Sequence, residues 1–105
     1  MRFSDLDPSL AVELKQEMAA RYFAESKKMV DSLNALKDFD RTHPSATLTQ
    51  KQISRRFELV ELAGERVHFL IIQREALHLP VGDQFFQDYE IPDEVKTSLG
   101  PRRQK

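Results

Sequence analysis

Hydrophobic positions recur along this chain at three- and four-residue steps, in two long runs with little punctuation inside either. From Pro8 to Phe39 there is no glycine and no second proline. Leu10, Leu14, Met18, Tyr22, Met29, Leu33 and Leu36 fall on one side of a helix wound at about 100° per residue. Val12, Ala19, Phe23 and Val30 widen that side to an arc of about 220°, where a helix resting on one neighbour needs little more than about 100°. Glu13, Glu17, Asp31 and Asp38 take the remaining polar face. Asp7 can cap the first free N–H groups, and Pro8 suits the first turn. The spacing predicts a helix over 8–39, about 48 Å long.

Residues 40–49 read as a connector. His43-Pro44 disfavours helix before the proline, and the serine and threonines offer competing backbone hydrogen bonds. Thr49 and Gln52 stand at capping-box spacing, so a second helix is expected over 50–79, stopped by Pro80 and Gly82. Its main stripe is Ile53, Phe57, Val60, Ala63, Val67, Leu70, Ile71 and Leu77. Leu62, Phe69, Ile72 and Ala76 lie on another side. Gly64 interrupts the run at a cost of about 1 kcal/mol relative to alanine; a glycine there either permits close helix approach or is a neutral accident.

Beyond Gly82 the pattern weakens into an arm over 83–99. A short helix from Asp83 can carry Phe85, Phe86 and Tyr89, and a further turn can follow Pro92. Five acids (Asp83, Asp88, Glu90, Asp93, Glu94) and no basic residue accompany these aromatics between 83 and 94. Such a segment docks its rings on an apolar groove and leaves its charges wet. It is expected to fold back on its own hairpin, with exchange onto a partner as the alternative. The basic tail, 100–105, is expected to be disordered.

The fold class expected is therefore all-α: one domain over 1–99, built as a long antiparallel helical hairpin with a short C-terminal helical segment. The apolar arcs exceed what one hairpin covers. Dimerisation into a helical bundle, with coiled-coil-like packing, is the expected remedy, with Phe23, Val30, Phe69 and Ile72 at the interface; the alternative is a monomeric three- or four-helix bundle whose core residues 83–99 complete.

Composition narrows the function classes. Sixteen basic and seventeen acidic residues give a net charge of −1, which supplies no overall attraction to nucleic acid or an anionic membrane. There is no cysteine, which excludes disulfides and thiolate chemistry and suits the cytoplasm. The opening residues lack the apolar core of a signal peptide. The longest apolar run, Phe69 to Ile72, is far too short to span a bilayer.

The most specific constellation sits on the second helix. Glu58, Glu61, Glu65 and His68 fall within about 80° of one another. Glu65 and His68 form a Glu-x-x-His pair, and Glu25 lies inside the apolar arc of the first helix. With a turn near residue 45, residue 25 comes level with residue 65, and a dimer would gather two copies of Glu25, Glu65 and His68. That ligand set on a helical hairpin resembles the encapsulated ferritins, which build a carboxylate-bridged two-metal site between two such subunits. The resemblance implies an iron-handling protein with iron or another divalent metal as cofactor. The plainer reading pairs Glu61 and Glu65 with nearby Lys or Arg, and Glu25 with Lys28 or Arg21. His78, before the helix stop, suits the negative end of the helix dipole.

Nothing else marks a catalytic site. The three glycines stand apart, so no loop cradles phosphate, and no local pattern marks a nucleophile. Lys51, Arg55 and Arg56 form a small basic cluster, but Glu58, Glu61 and Glu65 follow it at once and repel phosphates. Nucleic-acid binding thus ranks last. The reading placed first is a small cytoplasmic, non-enzymatic protein–protein interaction or regulatory module acting as a homodimer. The di-metal protein is its rival.

Overall fold

A computed structural model describes residues 7–99; the lead-in residues 1–6 and the basic tail 100–105 lie outside the described residues. The chain is all-α. Helix α1 spans Pro8–Thr42, a single 3-10 turn occupies Ser45–Thr47, and α2 spans Gln50–Ala76. Two short helices follow, α3 over Asp83–Asp88 and α4 over Asp93–Thr97. The long helices form the hairpin, and the arm folds back so that α4 packs on α2. Among the described residues no helix is long and apolar enough to cross a membrane.

The helix starts are those the sequence encodes. The Asp7 carboxylate accepts from the Ser9 backbone N–H at 2.9 Å, with Pro8 in the first turn. At α2 the capping box closes in both directions: Gln52 N–H donates to the Thr49 hydroxyl at 3.2 Å, and Thr49 N–H donates to the Gln52 side chain at 2.9 Å. Each cap satisfies orphan donors that would otherwise need water.

The helix ends differ from the pattern. α1 runs to Thr42, three residues past the expected stop at Phe39, because local groups close its end. His43 N–H donates to the Phe39 carbonyl at 2.9 Å, and the Thr42 hydroxyl donates to the Asp38 carbonyl at 2.9 Å. The His43 ring stacks on Phe39, with centroids 4.3 Å apart. α2 stops at Ala76, three residues short of Leu79. Pro80 disfavours helix at the residue before it, and the chain leaves earlier through a Schellman motif. Leu79 N–H donates to the Arg74 carbonyl at 2.8 Å and His78 N–H to the Glu75 carbonyl at 3.1 Å, with His78 at φ 60°. α3 ends the same way. Ile91 N–H reaches the Phe86 carbonyl and Glu90 N–H the Gln87 carbonyl, both at 3.0 Å, with Glu90 at φ 52° and Pro92 two residues on.

The core lies toward the loop end of the hairpin. Met29, Leu33 and Leu36 from α1 meet Leu59, Val60, Ala63, Val67 and Leu70 from α2, and Phe85, Ile91 and Val95 from the arm complete the cluster. Fully enclosing a side chain such as Met29, Leu70, Val67 or Val95 stabilises by about 1.5–3 kcal/mol over leaving it in water. Ile53 and Phe57, expected in the main α2 stripe, remain exposed. At that end Arg56 faces α1 instead, bonded to Asp40.

Gly64 is buried, and the close approach it permits belongs to the arm: a Cβ built there would collide with the Ser98 hydroxyl. Before Met29, by contrast, no described residue of α1 is buried. Two cross-helix bonds set the register: Arg56 Nε to Asp40 at 2.7 Å, and Arg74 Nη1 to the Tyr22 hydroxyl at 2.7 Å. Both place the end of α2 at Ala76 level with Ala20. The first twelve residues of α1, 8–19, therefore extend about 18 Å beyond α2.

Candidate interaction surface

Besides the exposed Leu10, Ile53, Phe57 and Leu79, two stretches of apolar surface stay open after the chain has folded. On α1, Val12 and Phe23 are 53% and 69% exposed, with Ala19 exposed between them. On the outer side of α2, Leu62, Phe69 and Ile72 are 40%, 40% and 47% exposed. Of the expected interface residues, Phe23, Phe69 and Ile72 thus stand at the surface. Val30 is half-buried and packs against the core cluster. The Phe23 ring meets the edge of a neighbouring ring, Tyr22, at 6.0 Å between centroids.

The arm covers the other side of the hairpin and is held by polar contacts at both ends. Near the open end, Arg74 donates to the Pro80 carbonyl at 2.7 and 3.0 Å, reaches the Tyr22 hydroxyl, and lies 4.9 Å over the Phe85 ring. Tyr89 places its hydroxyl 3.2 Å from Ser26 on α1. Burial is the main cause that pushes the Tyr22 hydroxyl above its usual range; the Arg74 guanidinium opposes it.

Near the loop end, Arg56 forks onto two carboxylates. It meets Asp40 of α1 at 2.7 and 2.9 Å and Glu94 of α4 at 2.5 and 2.9 Å. The guanidinium geometry suits two bidentate pairs. Hydrogen bonds from Arg56 hold both carboxyls below their usual range, and the two carboxylates raise Arg56 in turn. One side chain ties α1, α2 and α4 together.

The basic cluster at the start of α2 is largely engaged by this arrangement. Arg56 is committed to Asp40 and Glu94, and Arg55 stands 3.4 Å from Glu58. The proposed metal ligands are not gathered within one chain. Glu25 is half-buried with its carboxylate 3.6 Å from Lys28, the plainer pairing the sequence offered. Glu65 is exposed on α2, and the half-buried His68 lies beside Phe69 at 6.4 Å between centroids. The register also sets Glu25 level with Ile71 rather than Glu65, an offset of about 9 Å along the hairpin. Among the described residues no three His, Asp or Glu side chains come together as metal ligands would.

The sequence pattern did not disclose the Arg56 clamp. Its partners stand 16 and 38 residues away, and only Arg56's place one turn before Val60, on the core side, hints that it faces inward. In comparison with known proteins, no family model, curated protein or solved structure matches this chain.

Proposed function

We propose that this protein is a non-enzymatic helical interaction module that works as a homo-oligomer, two hairpins joining into a helical bundle in the cytoplasm. One observation carries the reading. With the arm already docked, Val12, Phe23, Leu62, Phe69 and Ile72 remain at the surface in helical register. Exposed large apolar side chains repeated at helical spacing on a small protein suit a site of association. Aromatic anchors such as Phe23 and Phe69 concentrate binding energy at interfaces. The internal polar groups support the same reading, because the best-formed ones hold the arm in place and leave the apolar stripes as the chain's outward face.

Size-exclusion chromatography with light scattering tests it. The expected mass is near twice the 12.2 kDa of the chain. Phe23→Glu, at a site 69% exposed, leaves the helix content unchanged and shifts the particle toward the single chain. A single-chain mass for the unaltered protein at about 100 μM, a concentration at which even a weak self-association is populated, sinks the proposal.

A further inference from the structure

The open surface of α1 has an order that its apolar content alone does not convey. Val12, Gln16, Ala19, Phe23, Ser26 and Val30 follow one another at steps of four and three, the alternation of core positions in a two-stranded coiled coil. Val12, Gln16, Ala19 and Phe23 are exposed. At the far end Ser26 and Val30 are half-buried, and Tyr89 of the arm borders the seam there through its bond to Ser26.

We infer that this seam pairs antiparallel with the same seam of a second copy, about a two-fold axis beside Ala20. The inference rests on the homo-oligomeric reading above and specifies its contact. Laid against itself in that register, the seam matches by size and polarity. Phe23 meets the partner's Ala19, and symmetry repeats the match, so each large ring finds a small residue opposite. Gln16 meets the partner's Ser26, polar against polar. Val12 meets the partner's Val30.

The flanks match by charge. Along one edge Glu13 comes beside the partner's Lys27, again twice, with Ala20 of both copies between them at the axis. Glu13 is exposed, and the Lys27 side chain is 77% exposed, bonded along its own helix to Asp31 at 3.1 Å. Along the other edge Tyr22 borders the partner's Tyr22, and Met29, opposite the partner's Lys15, is enclosed in its own core and brings no charge there, so like charges do not meet.

The outer stripe of α2 has no comparable match with itself. Leu62, Phe69, Ile72 and Ala76 share their seam with Glu58 and Glu65. The antiparallel registers that overlap most of that stripe on a second copy set one of these carboxylates against an apolar side chain, at the cost of desolvating a charge. The extension of α1 past α2 also leaves the seam from Val12 to Ala19 clear of α2.

The chain contains no cysteine, so one introduced thiol reports without background. Ala20→Cys treated with a short bismaleimide is expected to give a covalent dimer in high yield, and Ala76→Cys on α2 is expected to give none. Glu13→Lys should raise the dimer dissociation constant about tenfold. Adding Lys27→Glu should restore it, because the reversed charges meet again across the interface. A dimer that crosslinks in the Ala76→Cys variant and not in the Ala20→Cys variant, or a double variant as weak as Glu13→Lys alone, overturns this pairing and leaves homo-oligomerisation standing. A single-chain mass throughout removes both. Circular dichroism of each variant separates lost association from lost folding.

Discussion

At the scale of single residues, the two helix stops are the informative positions. His78 and Glu90 both take left-handed backbone, at φ 60° and 52°, and each precedes an apolar residue and then a proline. An L-residue pays about 1–2 kcal/mol for that conformation, and glycine enters it freely. Part of this gain is offset by the greater freedom of glycine in the unfolded chain. His78→Gly and Glu90→Gly are each expected to raise stability by about 0.5–1 kcal/mol, read as a higher urea midpoint at unchanged slope. Glu90→Gly also removes a 4.0 Å contact with Lys37, but both side chains are more than half exposed and such pairs contribute little. A lowered midpoint in either variant would mean that the side chain does more than the backbone argument allows. The sequence marked both breaks through Pro80 and Pro92. It did not show that a histidine and a glutamate would adopt the turn, because no composition signal separates a left-handed non-glycine residue from an ordinary one. That is why the expected stop at Leu79 fell three residues late.

Between elements, the Arg56 clamp and the Gly64 contact decide how the arm sits. Asp40 and Glu94 have folded pKa values below their ordinary 3.8 and 4.5. Their contribution to stability is therefore complete above those ordinary values and is lost as the pH falls through the lowered ones. A urea midpoint followed from about pH 6 to about pH 3 should fall, and Arg56→Gln should start lower and fall less steeply. Some slope should survive in the variant, since Asp7 is also held low by its own cap. Equal slopes for the two proteins would show that the clamp is not what the acid limb reports. Gly64 bears on the same arm from the other side. Gly64→Ala adds about 1 kcal/mol of helix propensity but drives a methyl group against the Ser98 hydroxyl, which bonds the Val95 carbonyl at 2.8 Å. In a Ser98→Ala background the propensity gain should emerge; in the unaltered chain it should be mostly cancelled. Local sequence reading flagged Gly64 as a point of close approach and could not say to what, because its neighbour arrives from 34 positions further along the chain.

Over the whole molecule, the hairpin and its arm were legible in advance because glycine and proline punctuate the chain mainly where it turns. The three-to-four-residue spacing of Met29, Leu33 and Leu36, and of Val60, Ala63, Val67 and Leu70, named most of the buried cluster. The axial register was not legible. It is set by Asp40 with Arg56 and Tyr22 with Arg74, polar pairs between helices that no pattern along one helix reveals, and it moves Glu25 away from the level of Glu65. The candidate surface was visible as an excess of apolar arc. Which part of that arc the arm would cover depended on contacts such as Val95 and Phe85 in the core, formed across long sequence separations.

The extension of α1 past its neighbour has one more consequence. A rod that is sheathed along one part and bare along another has no single melting event. The sheathed part opens only with the core. The bare turns can fray alone at small cost, since a short isolated helix is marginal in water. Anything that lies along those turns would draw them into the cooperative unit, so that for this stretch ordering and recognition become the same event.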